Sequence, residues 1–128
     1  MTVSLSILLA AATSERERQF VRVVMTKDLP WAASRGYHPT VFFDMLNRYR
    51  SVRGVAVALI HPNKPMQSGF WRINELGAGD TRSLEARVVE YADLFPEETV
   101  REAQKRLDAL RWLATSWHGR GPQPRAIP

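Results

Sequence analysis

No cysteine occurs among the 128 residues. That absence removes disulfides, thiolate nucleophiles and cysteine-ligated zinc together. It also fits a reducing compartment, so a cytoplasmic location is expected. Lysine is scarce: 15 of the 18 basic residues are arginine. Histidine is limited to His38, His61 and His118. None shares a helical face with a second histidine and no H-E-x-x-H occurs, so no metal site is expected. His38 and His61 each precede a proline, which suits a turn or a helix start. There is no G-x-S-x-G elbow for a serine nucleophile. Gly77, Gly79 and Asp80 have neither the spacing nor the preceding strand of a nucleotide fingerprint, and no cofactor is expected.

Long apolar runs are missing too. Residues 3–12 end in three alanines and imitate a signal peptide, but no Lys or Arg precedes them. The run is too short to span a bilayer, so no membrane partner is expected. Residues 1–13 read as a helical lead-in or a frayed terminus. The length is that of one domain. Apolar residues at 45% and charged residues at 24% are ordinary for a packed core.

The net charge of +5 is unevenly spread. Residues 1–54 carry +4, residues 55–99 carry −3 and residues 100–128 carry +4. Arginine makes bidentate contacts to phosphate and carboxylate, so its excess suits a polyanionic or acidic partner. It equally suits the codon bias of a GC-rich genome, and no stretch is a dense basic block.

Helical periodicity dominates what is there. Ser14 with Glu17 is a capping-box pattern, and the helix it starts places Phe20, Val24 and Trp31 near one face. Pro30 disturbs its last turns and Gly36 stops it. His38-Pro39 opens a second helix, with Phe42, Met45, Leu46 and Tyr49 as its core stripe. Ser51 caps a third, with Val52, Val55, Ala56, Leu59 and Ile60 facing inward. Residues 62–69 form a loop, residues 70–76 a short helix ended by Gly77, and Ser83 starts another with Leu84, Val88 and Tyr91 inside. A long helix then runs from Glu97 to Trp117. Val100, Ala103, Leu107, Leu110, Ala114 and Trp117 make its seam, while Arg101, Lys105, Arg106 and Arg111 lie on its other faces. Residues 119–128 hold two Gly and three Pro and form a flexible tail. The expected fold is all-α: an irregular bundle of four to six helices over residues 14–118, with a long C-terminal helix.

Two groups of residues are candidates for binding. Arg48, Arg50 and Arg53 cluster where the second and third helices meet, without a defined turn between them. Arg101 and Lys105 add charge on the last helix, as phosphate contacts require. Trp112 lies off the seam. It serves either as an exposed interface anchor beside arginines or as cover, with Leu113, for a second edge of the bundle. The leading expectation is a non-catalytic module that binds another protein, or a second copy of itself, through the C-terminal helix. Binding of DNA or RNA is the alternative.

Two resemblances bear on this. Arg111 followed by His118 resembles the R-x(4–6)-H element of HEPN ribonucleases, in which arginine and histidine act on RNA phosphate. The usual polar residue after the arginine is replaced here by Trp112. More extensively, Gly36-Tyr37 with Phe42 and Met45-Leu46 resembles the GY-x-x-x-x-F-x-x-ML start of a widespread group of small uncharacterised bacterial proteins. Residues 52–60 loosely match that group's GGVEAA-x-x-LL helix. Gly69-Phe70, Asn74 to Gly77 and Leu84 to Val89 are similar to its GF-x-x-LWE-x-GRLDLTVEALVL block. Leu94-Phe95 through Leu107 is similar to LF-TEEEL-x-x-AR-x-RL, with Pro96 in place of threonine. The resemblance spans residues 36–107. It implies a bacterial, cytoplasmic, helical protein and carries no catalytic residues, because the group has no established activity.

Overall fold

Serine side chains set four of the helix starts. The hydroxyls of Ser4, Ser14, Ser51 and Ser83 accept from the backbone N–H of Ile7, Glu17, Gly54 and Ala86 at 3.0–3.3 Å. Each satisfies one donor that a helix N-terminus leaves without a partner. Three of these caps are those expected from sequence, and Ser4 is the addition. They belong to a computed structural model that describes residues 3–64, 73–75, 77 and 79–117. The described residues are all-α, with no strand among them.

Helix α1 is Leu5–Ala11 and α2 is Glu15–Val23. Leu8 is fully buried with the residues of the later helices, so the N-terminal segment packs into the same core. The capping box at α2 is half reciprocal. Glu17 reaches past Ser14 to accept from the N–H and hydroxyl of Thr13. The next five residues, Val24–Asp28, widen into a π-helix before α3, Leu29–Ser34. Leu29 N–H bonds to the Val24 carbonyl, five residues back. A proline ring clashes with the carbonyl four residues before it. The wider register falls just before Pro30, which sits in the first turn of α3, where its missing N–H is tolerated. Helix α3 ends in a Schellman arrangement: Gly36 N–H bonds to Ala33 and Tyr37 N–H to Ala32, with Gly36 at φ 83°.

Helices α4 (Thr40–Tyr49) and α5 (Val52–Leu59) pack on each other. The sequence shows no turn between them, yet the structure has a tight one. Arg50 takes the left-handed conformation at φ 56° and Ser51 is extended. The chain leaves α4 at that point, so Tyr49 is about half exposed and not part of the core stripe. Phe42, Met45 and Leu46 are buried as the spacing predicts. A short α6 (Gly79–Arg82), then α7 (Leu84–Glu90) and a 3-10 turn at Ala92–Leu94 lead to α8, Glu97–Trp117. Helix α7 lies along α8. At the centre Phe20 meets Tyr91 and Phe95 edge-on, with ring centroids 5.5 and 5.2 Å apart. These contacts tie α2 to the α7–α8 junction with the geometry aromatic pairs prefer.

Candidate functional site

Helix α8 divides its side chains sharply. Ala103, Leu107 and Leu110 are buried. On the opposite side Glu97, Arg101, Lys105, Asp108 and Trp112 are all exposed, spaced four, four, three and four. That spacing keeps them on one stripe. Trp112 is 64% exposed, so it does not cover a second edge of the bundle. Arg101 and Trp112 are eleven residues apart, or roughly 16 Å along the axis. Thus Arg101, Lys105 and Trp112 share one outward face. The cations are interleaved with acids: Arg101 pairs with Glu97, and Arg111 pairs with Asp108 at 3.3 Å. The partner residue of the ribonuclease-like element, His118, lies outside the described residues, as does Trp71; the side chains of Ala114 and Trp117 are likewise not described.

The basic cluster at the α4–α5 corner is divided. Arg48 and Arg50 are exposed. Arg53 instead donates from Nε to the Leu94 carbonyl at 2.7 Å and lies 3.9 Å from the buried Glu17 carboxylate. It ties α5 to the 3-10 turn and serves the fold.

Two buried ionic centres were not expected from the sequence. The first corrects the placement of Arg106. It does not lie on an outer face of α8, because its side chain is 1% exposed. Its Nε donates to Glu102 at 2.9 Å. One terminal nitrogen donates to Glu85 and the Leu59 carbonyl, each at 3.2 Å. The other donates to the His61 and Lys64 carbonyls at 3.2 and 2.9 Å. All five N–H donors of the guanidinium are therefore used. They hold α8, α7 and the end of α5 together. Burial pushes the Glu85 carboxyl up from its usual value, against its own backbone N–H and Arg106. A sequence signal existed: Thr99, Ala103, Arg106 and Leu110 are spaced four, three and four, so Arg106 sits on the inner seam.

The second centre is Asp28, carried inward by the π segment and 6% exposed. Arg87 grips it with two bonds, Nε to Oδ2 at 2.7 Å and the terminal nitrogen to Oδ1 at 2.8 Å. Arg82 approaches Oδ1 at 3.6 Å. Burial pushes the Asp28 carboxyl up, while its bonds to Arg87 and then the charges of Arg87 and Arg82 pull it down. The Arg87 guanidinium is in turn raised, first by its hydrogen bond to Asp28. Trp31 is half-buried beneath this centre, with Arg35 4.3 Å and Arg82 5.3 Å from its ring centroid.

Asp28, Arg82 and Glu85 also border a cavity of about 260 Å³. Its wall is largely apolar, from Leu29 and Ala32 on α3, Phe42 on α4, Ile60 and Leu84, and Tyr37 and His38 also border it. No group of His, Asp and Glu able to hold a metal occurs among the described residues. No described helix is long and apolar enough to cross a membrane. Compared with known proteins, the chain matches no family model, no curated protein and no solved structure.

Proposed function

We propose that this chain is a non-catalytic helical interaction module that binds another protein through the outer stripe of α8. The carrying observation is Trp112, 64% exposed on the same face as Arg101 and Lys105. An exposed tryptophan flanked by cations is the composition of an interface anchor. Glu97 and Asp108 within the stripe speak for protein over nucleic acid. They occupy Arg101 and Arg111 and would repel a phosphate track. The partner this face suits offers an apolar pocket for the indole and a carboxylate about two turns away for Lys105. A cysteine-free sequence supports placing the module in the cytoplasm. The resemblance to small bacterial proteins stops at residue 107, so on this reading the tryptophan belongs to an extension particular to this chain.

The experiment is photo-crosslinking from a probe at Gln104 or Asp108 in the native host. The expected product is one protein adduct that disappears in Trp112→Ala and in the Arg101→Glu, Lys105→Glu double variant. A self-adduct would make the partner a second copy. Salt-sensitive RNA or DNA binding that falls in Arg48→Glu, Arg50→Glu and survives Trp112→Ala would overturn the reading in favour of a nucleic-acid accessory protein. RNA cleavage lost in His118→Ala would overturn it in favour of the ribonuclease.

A further inference from the structure

We infer that the cavity beside Arg82 is a binding site for a small amphipathic carboxylate, a ligand class separate from the protein partner of α8. Size limits the body of the ligand. An apolar cavity of roughly 150 Å³ accommodates a benzene ring. At about 260 Å³ this one has room for a ring with a short chain, or an alkyl chain of similar bulk. Leu29, Ala32, Phe42 and Leu84 supply the apolar wall for such a body.

Charge selects the head group. The two carboxylates on the cavity already hold guanidinium groups: Asp28 is gripped on both oxygens by Arg87, and Glu85 is held by Arg106. Neither is an open seat for a cationic ligand. Arg82 differs from both of those arginines. Its side chain is 35% exposed, and its approach to Asp28 at 3.6 Å is an ion pair beyond hydrogen-bond length. The Trp31 ring centroid lies 5.3 Å from its guanidinium carbon, within cation–π range, and among the described residues no acceptor takes a hydrogen bond from that guanidinium. A half-buried guanidinium with open donors at the rim of an apolar cavity is the arrangement that takes a carboxylate, two parallel N–H bonds to two oxygens. One such cation, with Asp28 close behind it, suits a monoanion better than a phosphate.

The test uses the full chain and three isosteric probes: phenylpropionate, phenylpropionamide and phenylpropylamine. Calorimetric titration gives affinities, and methyl shifts at Ala32 and Leu84 locate the probes. Phenylpropionate is expected to bind saturably, the amide about tenfold or more weakly, and the amine not at all. Arg82→Gln is expected to weaken phenylpropionate about tenfold and leave the amide unchanged. Arg82→Lys, which keeps the charge, provides a second variant, and thermal unfolding shows that each is folded. Trp112→Ala is expected to leave phenylpropionate binding unchanged, which separates this site from the α8 face. Absence of phenylpropionate binding, an amide or amine that binds as well, or indifference to Arg82→Gln overturns the proposal.

Discussion

Arg106 on α8 and Glu85 on α7 meet inside the protein, guanidinium to carboxylate at 3.2 Å, with side chains 1% and 6% exposed. A buried pair of this kind is held together by what surrounds it. Here the surroundings are Glu102 and three carbonyls at and just after the end of α5. The arginine is thus a bolt through three elements, and its value lies in the donors it supplies at fixed positions.

Replacing it should be costly in a diagnostic way. Arg106→Met removes five bonds and leaves Glu85 without its cation. The expected loss is about 3–5 kcal/mol of unfolding free energy in urea titration. Adding Glu85→Leu should restore part of this, because an apolar pair tolerates burial. Full restoration is not expected, since the Leu59, His61 and Lys64 carbonyls still lack a donor. A single-variant loss under about 1 kcal/mol would show that the bolt carries no load.

The pH dependence follows from the raised Glu85 carboxyl. A carboxyl whose folded value lies above its unfolded one binds more protons in the native state across that interval. Its contribution to stability is fully present below its ordinary value of 4.5 and is lost as pH rises through the folded value. Glu85→Gln removes that titration and leaves the similar one at Asp28. The wild type should therefore lose stability relative to the variant as pH rises from about 4.5 towards neutrality, measured by denaturant unfolding at each pH. An unchanged difference across this range would show that Glu85 does not titrate apart from the unfolded chain.

Arg50 holds a left-handed backbone at φ 56°, where a side chain costs energy and glycine does not. It is exposed and its N–H bonds back to the Leu46 carbonyl, a bond that glycine keeps. Arg50→Gly should raise stability by up to about 1 kcal/mol, read as a higher thermal midpoint. The gain is tempered by the extra freedom glycine gives the unfolded chain. A clear loss would mean that the arginine side chain contributes contacts that outweigh the strain.

Much of the helical framework could be read from neighbouring residues. The Ser14, Ser51 and Ser83 caps act over three residues, and the Gly36 stop over five. The stripe of Phe42, Met45 and Leu46 and the seam of Ala103, Leu107 and Leu110 depend on spacing within one or two turns. The outer face of α8 was legible in part: Arg101 and Lys105 fall on it by spacing, whereas the sequence left Trp112 open between anchor and cover and placed the buried Arg106 outside. Tyr49 departs from this pattern because the chain turns away at Arg50, one residue after the stripe would have gained its next neighbour.

What the sequence determined by itself was therefore the class of structure, most of the helix starts and the apolar seam of the last helix. The tertiary structure decided the fate of individual charges. An arginine on a helix reads as solvated unless its partners are known, and those of Arg106 are 21 to 47 residues distant along the chain, save for Glu102. Asp28 and Arg87 are 59 residues apart. Burial of an ion depends on the donors and acceptors that distant segments bring to it, whereas caps and periodicity are settled within a few residues. For that reason the helices could be read from the chain alone, while the two ionic centres, and the cavity with its half-satisfied Arg82, came into being only when those helices packed.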